Sequence, residues 1–106
     1  MRTLFAVVRT KGEAWDATVP MRSQQRWSEH AVFMDGLAAQ GFIVLGGPLG
    51  ETGDFLFAVK ATDENEIKAT LQQDPWSTSG MLEIKSIQPW IILLESPERL
   101  PPLETD

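Results

Sequence analysis

The sequence has no cysteine, no tyrosine and a single histidine among 106 residues. Without cysteine there are no disulfides, no thiolate metal sites and no thiol nucleophile. One histidine excludes a multi-histidine zinc centre within one chain, and no metal is expected. Without tyrosine there is no phenolic acid or base. Positive charge is also scarce: nine Lys and Arg stand against fifteen Asp and Glu, a formal net charge of −6. Nucleic-acid binding draws on a basic surface that displaces counterions, so no nucleic-acid partner is expected. An anionic membrane surface repels the chain for the same reason. No apolar stretch reaches the ~18 residues of a spanning helix. The apolar run near the N-terminus, LFAVV, is too short for a signal-peptide core. A cytoplasmic protein is the expectation.

What is present suits a small globule. Hydrophobic residues make up 42% and charged residues 23%, which is ordinary for a folded domain and argues against bulk disorder. A chain of this length hides roughly two thirds of its extended surface on folding, enough for a core without covalent staples. One domain is expected over residues 1–95. Residues 96–106 carry three prolines in eleven positions and predict an extended, loosely held tail.

Residues 3–9 (TLFAVVR) are apolar on both faces, the pattern of a central strand. Residues 10–20 carry Gly, Asp and Pro and predict a loop. A helix is expected over about 22–40, with Trp27, His30, Ala31, Met34, Leu37 and Ala38 on one face and Gly41 at a left-handed C-cap. Residues 42–46 predict a second strand ended by Gly46-Gly47-Pro48, and residues 54–60 its hairpin partner. Asp63 and Glu66 match a capping box for a second helix running to about Gln73. Asp74-Pro75-Trp76 ends that helix, because a residue before proline is pushed out of the α region. Residues 81–94 predict the last strand, with Pro89 marking an edge, bulge or break.

The element order is βαββαβ, which predicts an α+β, ferredoxin-like fold: an antiparallel sheet with two helices on one face. The other face is then bare. Because strands one and three are apolar on both sides, a second copy packed sheet to sheet is the simplest cover. The expectation is a homodimer of the dimeric α+β barrel kind.

Four motifs then occur in order: Trp27-Ser-Glu-His30-Ala-Val-Phe33-Met-Asp-Gly-Leu37, the turn Leu45-Gly46-Gly47-Pro48-Leu49, Asp74-Pro75-Trp76 and Gln88-Pro89-Trp90. Together they resemble the YCII-related family, and the resemblance runs from the first strand to Trp90. It implies the same ferredoxin-like fold, pairing into a dimeric α+β barrel. It also implies a pocket beside a His–Asp pair, which falls on His30 and Asp74. The chain departs from the better-known short members at one place. They carry Arg three residues before the histidine, where this chain has Trp27, with Arg26 one position further back.

His30 is the residue type that titrates nearest neutrality, and it lies on an apolar helix stripe. An aspartate on the inward side of the second helix, Asp74, can accept a hydrogen bond from Nδ1–H and leave Nε2 facing a pocket, the orienting half of a base–carboxylate pair. The chemistry this suggests is proton transfer: isomerisation, elimination or lactone-type reaction on a small organic ligand. Each feature also has a plainer meaning. His30 can be a satisfied core residue, and Asp74-Pro75 a helix stop. Gly46, Gly47 and Pro48 can present backbone N–H groups to a ligand or merely turn the chain. Trp27, Trp76 and Trp90 can wall a pocket or fill the core, with Trp76, expected on a loop, the foremost wall candidate. Arg9 and Arg26 can meet a substrate carboxylate or simply face water. No cofactor is expected; haem on His30 is the weaker idea, since nothing else signals porphyrin. The alternative to an enzyme is a non-catalytic small-molecule-binding or interaction module built on the homodimer.

Overall fold

A computed structural model describes residues 3–97. Strand β1 (Thr3–Lys11) obeys the two-residue period of a pleated strand. Phe5, Val7 and Arg9 are buried on one side, and Leu4, Ala6, Val8 and Thr10 are half-buried on the other. Helix α1 spans Trp27–Ala39. Strands β2 (Ile43–Pro48) and β3 (Asp54–Ala61) form the expected hairpin. Helix α2 (Glu64–Leu71), the single-turn helix α3 (Pro75–Thr78) and strand β4 (Leu82–Pro89) follow. The sheet order is β2-β3-β1-β4, with every neighbouring pair antiparallel. Among the described residues the result is a small α+β arrangement of four strands and three α-helices, consistent with a ferredoxin-like fold.

The core lies between the helices and one face of the sheet. Phe5, Val7, Phe55, Phe57, Val59 and Leu82 from the strands pack in one cluster with Leu37, Ile67, Leu71 and Trp76 from the helices. All three helices therefore contribute to the layer on that side. The opposite face carries Leu4, Ala6 and Val8, with Leu56 and Ala58 as the partners of Val8 and Ala6.

Several boundaries differ from expectation, each for a local reason. Helix α1 starts at Trp27 rather than near residue 22. Met21–Ser23 form a separate 3-10 turn, and Arg26 sits at φ 64°, a left-handed conformation that cannot continue a helix. At the other end Gly41 takes the expected left-handed φ of 79°. Helix α2 stops at Leu71 instead of reaching Gln73. Asp63 caps it by accepting from the Glu66 N–H at 2.9 Å, while the Glu66 carboxylate returns to the Thr62 N–H. The chain restarts as α3 with Pro75 in its first turn, where a missing N–H costs nothing.

Strand β2 runs through Gly46-Gly47-Pro48 rather than ending there. An edge strand tolerates proline, and β2 is an edge. Strand β4 ends at Pro89; the Trp90 N–H still donates to the Leu4 carbonyl of β1 at 2.8 Å, and residues 91–94 lie beyond the strand. Of these, Ile91, Leu93 and Leu94 are highly exposed. The proline-rich tail expected over 96–106 lies, beyond residue 97, outside the described residues. No helix among the described residues is long and apolar enough to cross a membrane.

Candidate functional site

Three elements that are distant in sequence converge on Asp74. It is the N-cap of α3, where its Oδ1 accepts the Trp76 backbone N–H at 2.9 Å. A capping aspartate is anchored at its base, which aims the rest of the carboxylate. Helix α1 brings His30, whose Nδ1 lies 2.9 Å from both carboxylate oxygens. Strand β1 brings Arg9, whose Nη1 donates to Oδ2 at 2.8 Å. Asp74 and Arg9 are wholly buried, and His30 is 8% exposed.

The pairing of His30 with Asp74 was expected; its construction was not. Asp74 reaches the histidine from the cap of a separate short helix, not from the inward face of α2. Because its oxygens are acceptors, the Nδ1 position carries the hydrogen of the contact. Among the described residues, Arg9 Nε is the single buried side-chain polar atom without a partner. Asp74 engages Nδ1 only, and His30 keeps 8% of its surface exposed. Burial pushes the Asp74 carboxyl upward, but hydrogen bonds from His30, Arg9 and the Trp76 N–H outweigh it and hold the group below the ordinary aspartate range.

Of the two readings open for Arg9, a substrate carboxylate or water, the structure gives neither: the side chain is wholly buried on Asp74. Its Nη2 donates to Ser77 Oγ at 2.7 Å, and Ser77 in turn donates to the Leu71 carbonyl at 2.6 Å. Met34 Sδ lies 4.0 Å from Nη1. The β1–β4 register shifts between Val8 and Arg9, where Val8 faces Ser86 and Arg9 faces Ile84. A bulge of this kind re-aims side chains beside it. Ser77 and Trp15 are the site residues that the sequence did not single out; Arg9 was singled out, but for a substrate carboxylate or for water rather than for Asp74. The signal for Arg9 was present: Phe5, Val7 and Arg9 share the two-residue period of one strand face, and that face is the core.

Trp76 does not stand on a loop at a pocket wall. It is wholly buried in α3 and lies flat on His30, with ring centroids 3.8 Å apart and planes 9° from parallel. Its indole N–H donates to the Gln25 carbonyl at 2.8 Å. Trp27 packs 5.8 Å from the His30 ring and 5.6 Å from Trp76, and Trp15 meets Trp76 edge-on at 5.5 Å. One side of the imidazole is thus an aromatic wall. Arg26 is exposed and paired with Glu29 at 2.7 Å, and the field of Asp74 reaches it. Arg22 lies over the Trp27 ring, its guanidinium carbon 5.6 Å from the centroid.

The glycine turn and Trp90 lie elsewhere. Gly46, Gly47 and Pro48 line a cavity of about 330 Å³ with Leu45, Leu56 and Trp90. A second cavity, about 420 Å³, lies between α1 and β2, lined by Met34, Ala38, Ile43 and Phe57 among others. Neither includes His30 or Asp74. The structure therefore joins His30, Asp74, Trp27 and Trp76 in one cluster, with Arg26 at its edge, and places Gly46, Gly47 and Pro48 outside it. Among the described residues no group of three or more His, Asp or Glu side chains is placed to hold a metal ion.

No protein-family model matches the chain, and no curated protein matches it in sequence.

Proposed function

We propose that the chain is a YCII-like protein that moves protons on a small organic substrate, with His30 as acid/base and Asp74 as its orienting carboxylate. The observation that carries this reading is the asymmetry of the imidazole. Nδ1 is held by both oxygens of a buried carboxylate, while Asp74 leaves Nε2 unengaged on a residue that is still 8% exposed. That is the arrangement of a general base whose tautomer has been chosen in advance. The chemistry it suits is isomerisation, elimination or lactone-type reaction. The direct test is solvent-deuterium exchange into a panel of small keto acids, hydroxy acids and lactones, followed by NMR. Exchange at a carbon position with wild type, abolished in His30→Gln, supports the reading. Binding without exchange across the panel moves the protein to the alternative, a ligand-binding or interaction module. The position of both cavities away from His30 favours that alternative.

The same proposal includes a homodimer in which two ferredoxin-like sheets face one another. Its support is the apolar open face formed by Leu4, Ala6, Val8 and Leu56, together with exposed Leu45, Leu49 and Trp90 and the apolar run Ile91–Leu94 beyond β4. Contiguous exposed apolar surface of this kind marks an interaction site. Sedimentation at micromolar concentration should give twice the 11.8 kDa chain mass. Leu56→Lys, which puts a charge in the middle of that face, should return the monomer mass. A wild-type monomer overturns the dimer.

A further inference from the structure

We propose that Arg9 is a positioning residue that makes the His30–Asp74 pair a three-member unit and sets His30 to accept a proton rather than donate one. The inference rests on the proton-transfer reading of His30 and deepens it by assigning the direction of the first step.

The argument starts from charge. A guanidinium stays charged in proteins, and Asp74 is held in its ionised form by three donors. Arg9 and Asp74 meet at 2.8 Å with both side chains wholly buried. The pair is neutral before His30 is counted. A proton arriving on His30 then gives a buried cluster of net charge +1. With Arg9 absent, the same proton would neutralise a lone buried carboxylate and be welcomed as an ion pair. At short range in a poorly screened interior this difference is large. Arg9 therefore works against a resting imidazolium and keeps Nε2 open as a base.

Geometry supports the same role. The fork of Arg9 is fixed at two points, Asp74 Oδ2 and Ser77 Oγ, and Ser77 is itself tied to the Leu71 carbonyl. The carboxylate is fixed from the other side by the Trp76 N–H. Its plane cannot turn away from His30 without breaking one of these bonds. The cost is visible as well: Arg9 Nε is buried with no partner. A buried ion pair with an orphaned donor is a poor way to stabilise a core, where apolar side chains of like volume often do as well or better.

The other charged groups near His30 do not duplicate Arg9. Arg26 and Glu29 at the head of α1 are exposed and paired with each other, and Arg22 lies over Trp27 from the 3-10 turn. Arg9 is the buried cation in contact with Asp74. The first proton then passes from a carbon acid to Nε2, and the C–H electron pair stays on the substrate.

The test is the NMR titration of His30, unambiguous because there is one histidine per chain. Arg9→Met and Arg9→Gln remove the charge, and Gln retains hydrogen-bond donors should Met prevent folding. In either variant the His30 midpoint should move to higher pH by about one unit, a tenfold rise in proton affinity. Arg9→Lys keeps the charge and should stay within a few tenths of wild type. Asp74→Asn should move the midpoint the opposite way. A folded Arg9→Gln or Arg9→Met chain that titrates as wild type overturns the role of Arg9. If Asp74→Asn still shifts the curve, the His30–Asp74 pair survives that failure. If neither variant shifts it, both readings fall.

Discussion

The His30 imidazole lies flat on the Trp76 indole, ring centroids 3.8 Å apart and planes 9° from parallel. The contact follows from a single cap. Asp74 starts helix α3 and takes the Trp76 N–H on Oδ1. The same side chain takes His30 Nδ1, so the residue that holds the histidine also sets the wall behind it. Trp76 further fills the space between Trp15 and Trp27. Trp76→Ala should therefore destabilise the chain by about 3–5 kcal/mol, the range for emptying a large aromatic site. Trp76→Phe should cost less, because it keeps a stacked ring and loses the indole bond to Gln25. Urea unfolding followed by circular dichroism measures both. Equal losses in the two variants would mean that the indole bond, lost in both, carries the stability rather than the filled volume or the stacked ring.

Asp74→Asn should destabilise by about 3–5 kcal/mol, since it leaves the Arg9 guanidinium buried without its anion. The double variant Arg9→Met/Asp74→Asn removes both charges and should recover part of that loss. The non-additivity, read from a double-mutant cycle in urea, is the coupling of the pair. Strict additivity would mean that the two charges do not sense each other.

Acid should weaken the fold through Asp74. Its folded-state carboxyl lies below the ordinary value, so ionised Asp74 contributes stability that is fully present above about pH 3.9, the unfolded value. The contribution is lost as pH falls through the folded value. Asp16, Glu29 and Asp54 are also lowered by surface partners, so wild type alone does not isolate the effect. The comparison does: stability should fall more steeply below about pH 4 in wild type than in Arg9→Met/Asp74→Asn. Parallel curves would show that the buried carboxylate is not the acid-sensitive group.

Much of this arrangement was legible in the sequence, and the remainder was hidden for physical reasons. The βαββαβ order, the hairpin, the Asp63 cap and the left-handed Gly41 follow from local chemistry, which acts over a few residues. The inward position of His30 follows from helical period. What stayed hidden depends on contacts between distant segments. Arg9 reads as a surface residue because arginine usually is one, and only Asp74 and Ser77, some 65 residues away, make its burial tolerable. Asp74-Pro75 correctly reads as a stop, but a stop and a cap look alike until the next helix is seen. Trp76 reads as a loop residue for the same reason. The start of α1 was lost to the left-handed Arg26, which no propensity favours.

The glycines of β2 separate a structural demand from a functional one. A Cβ at Gly46 would run into the ring of Phe57, a buried core residue on β3, whereas a Cβ at Gly47 meets nothing within 4 Å. The two residues are neighbours in one edge strand, with Phe57 and Leu56 as their respective partners. Gly46→Ala should therefore destabilise by about 1–3 kcal/mol, the usual cost of overpacking a core. Gly47→Ala should change stability by well under 1 kcal/mol, as expected for a substitution made into open space. If the backbone N–H groups here served a ligand, Gly47→Ala would nonetheless impair binding while leaving unfolding in urea unchanged. If both variants lose stability together, the strand is less tolerant than its edge position implies. If Gly47→Ala is silent in stability and in ligand titration alike, the segment serves the strand alone.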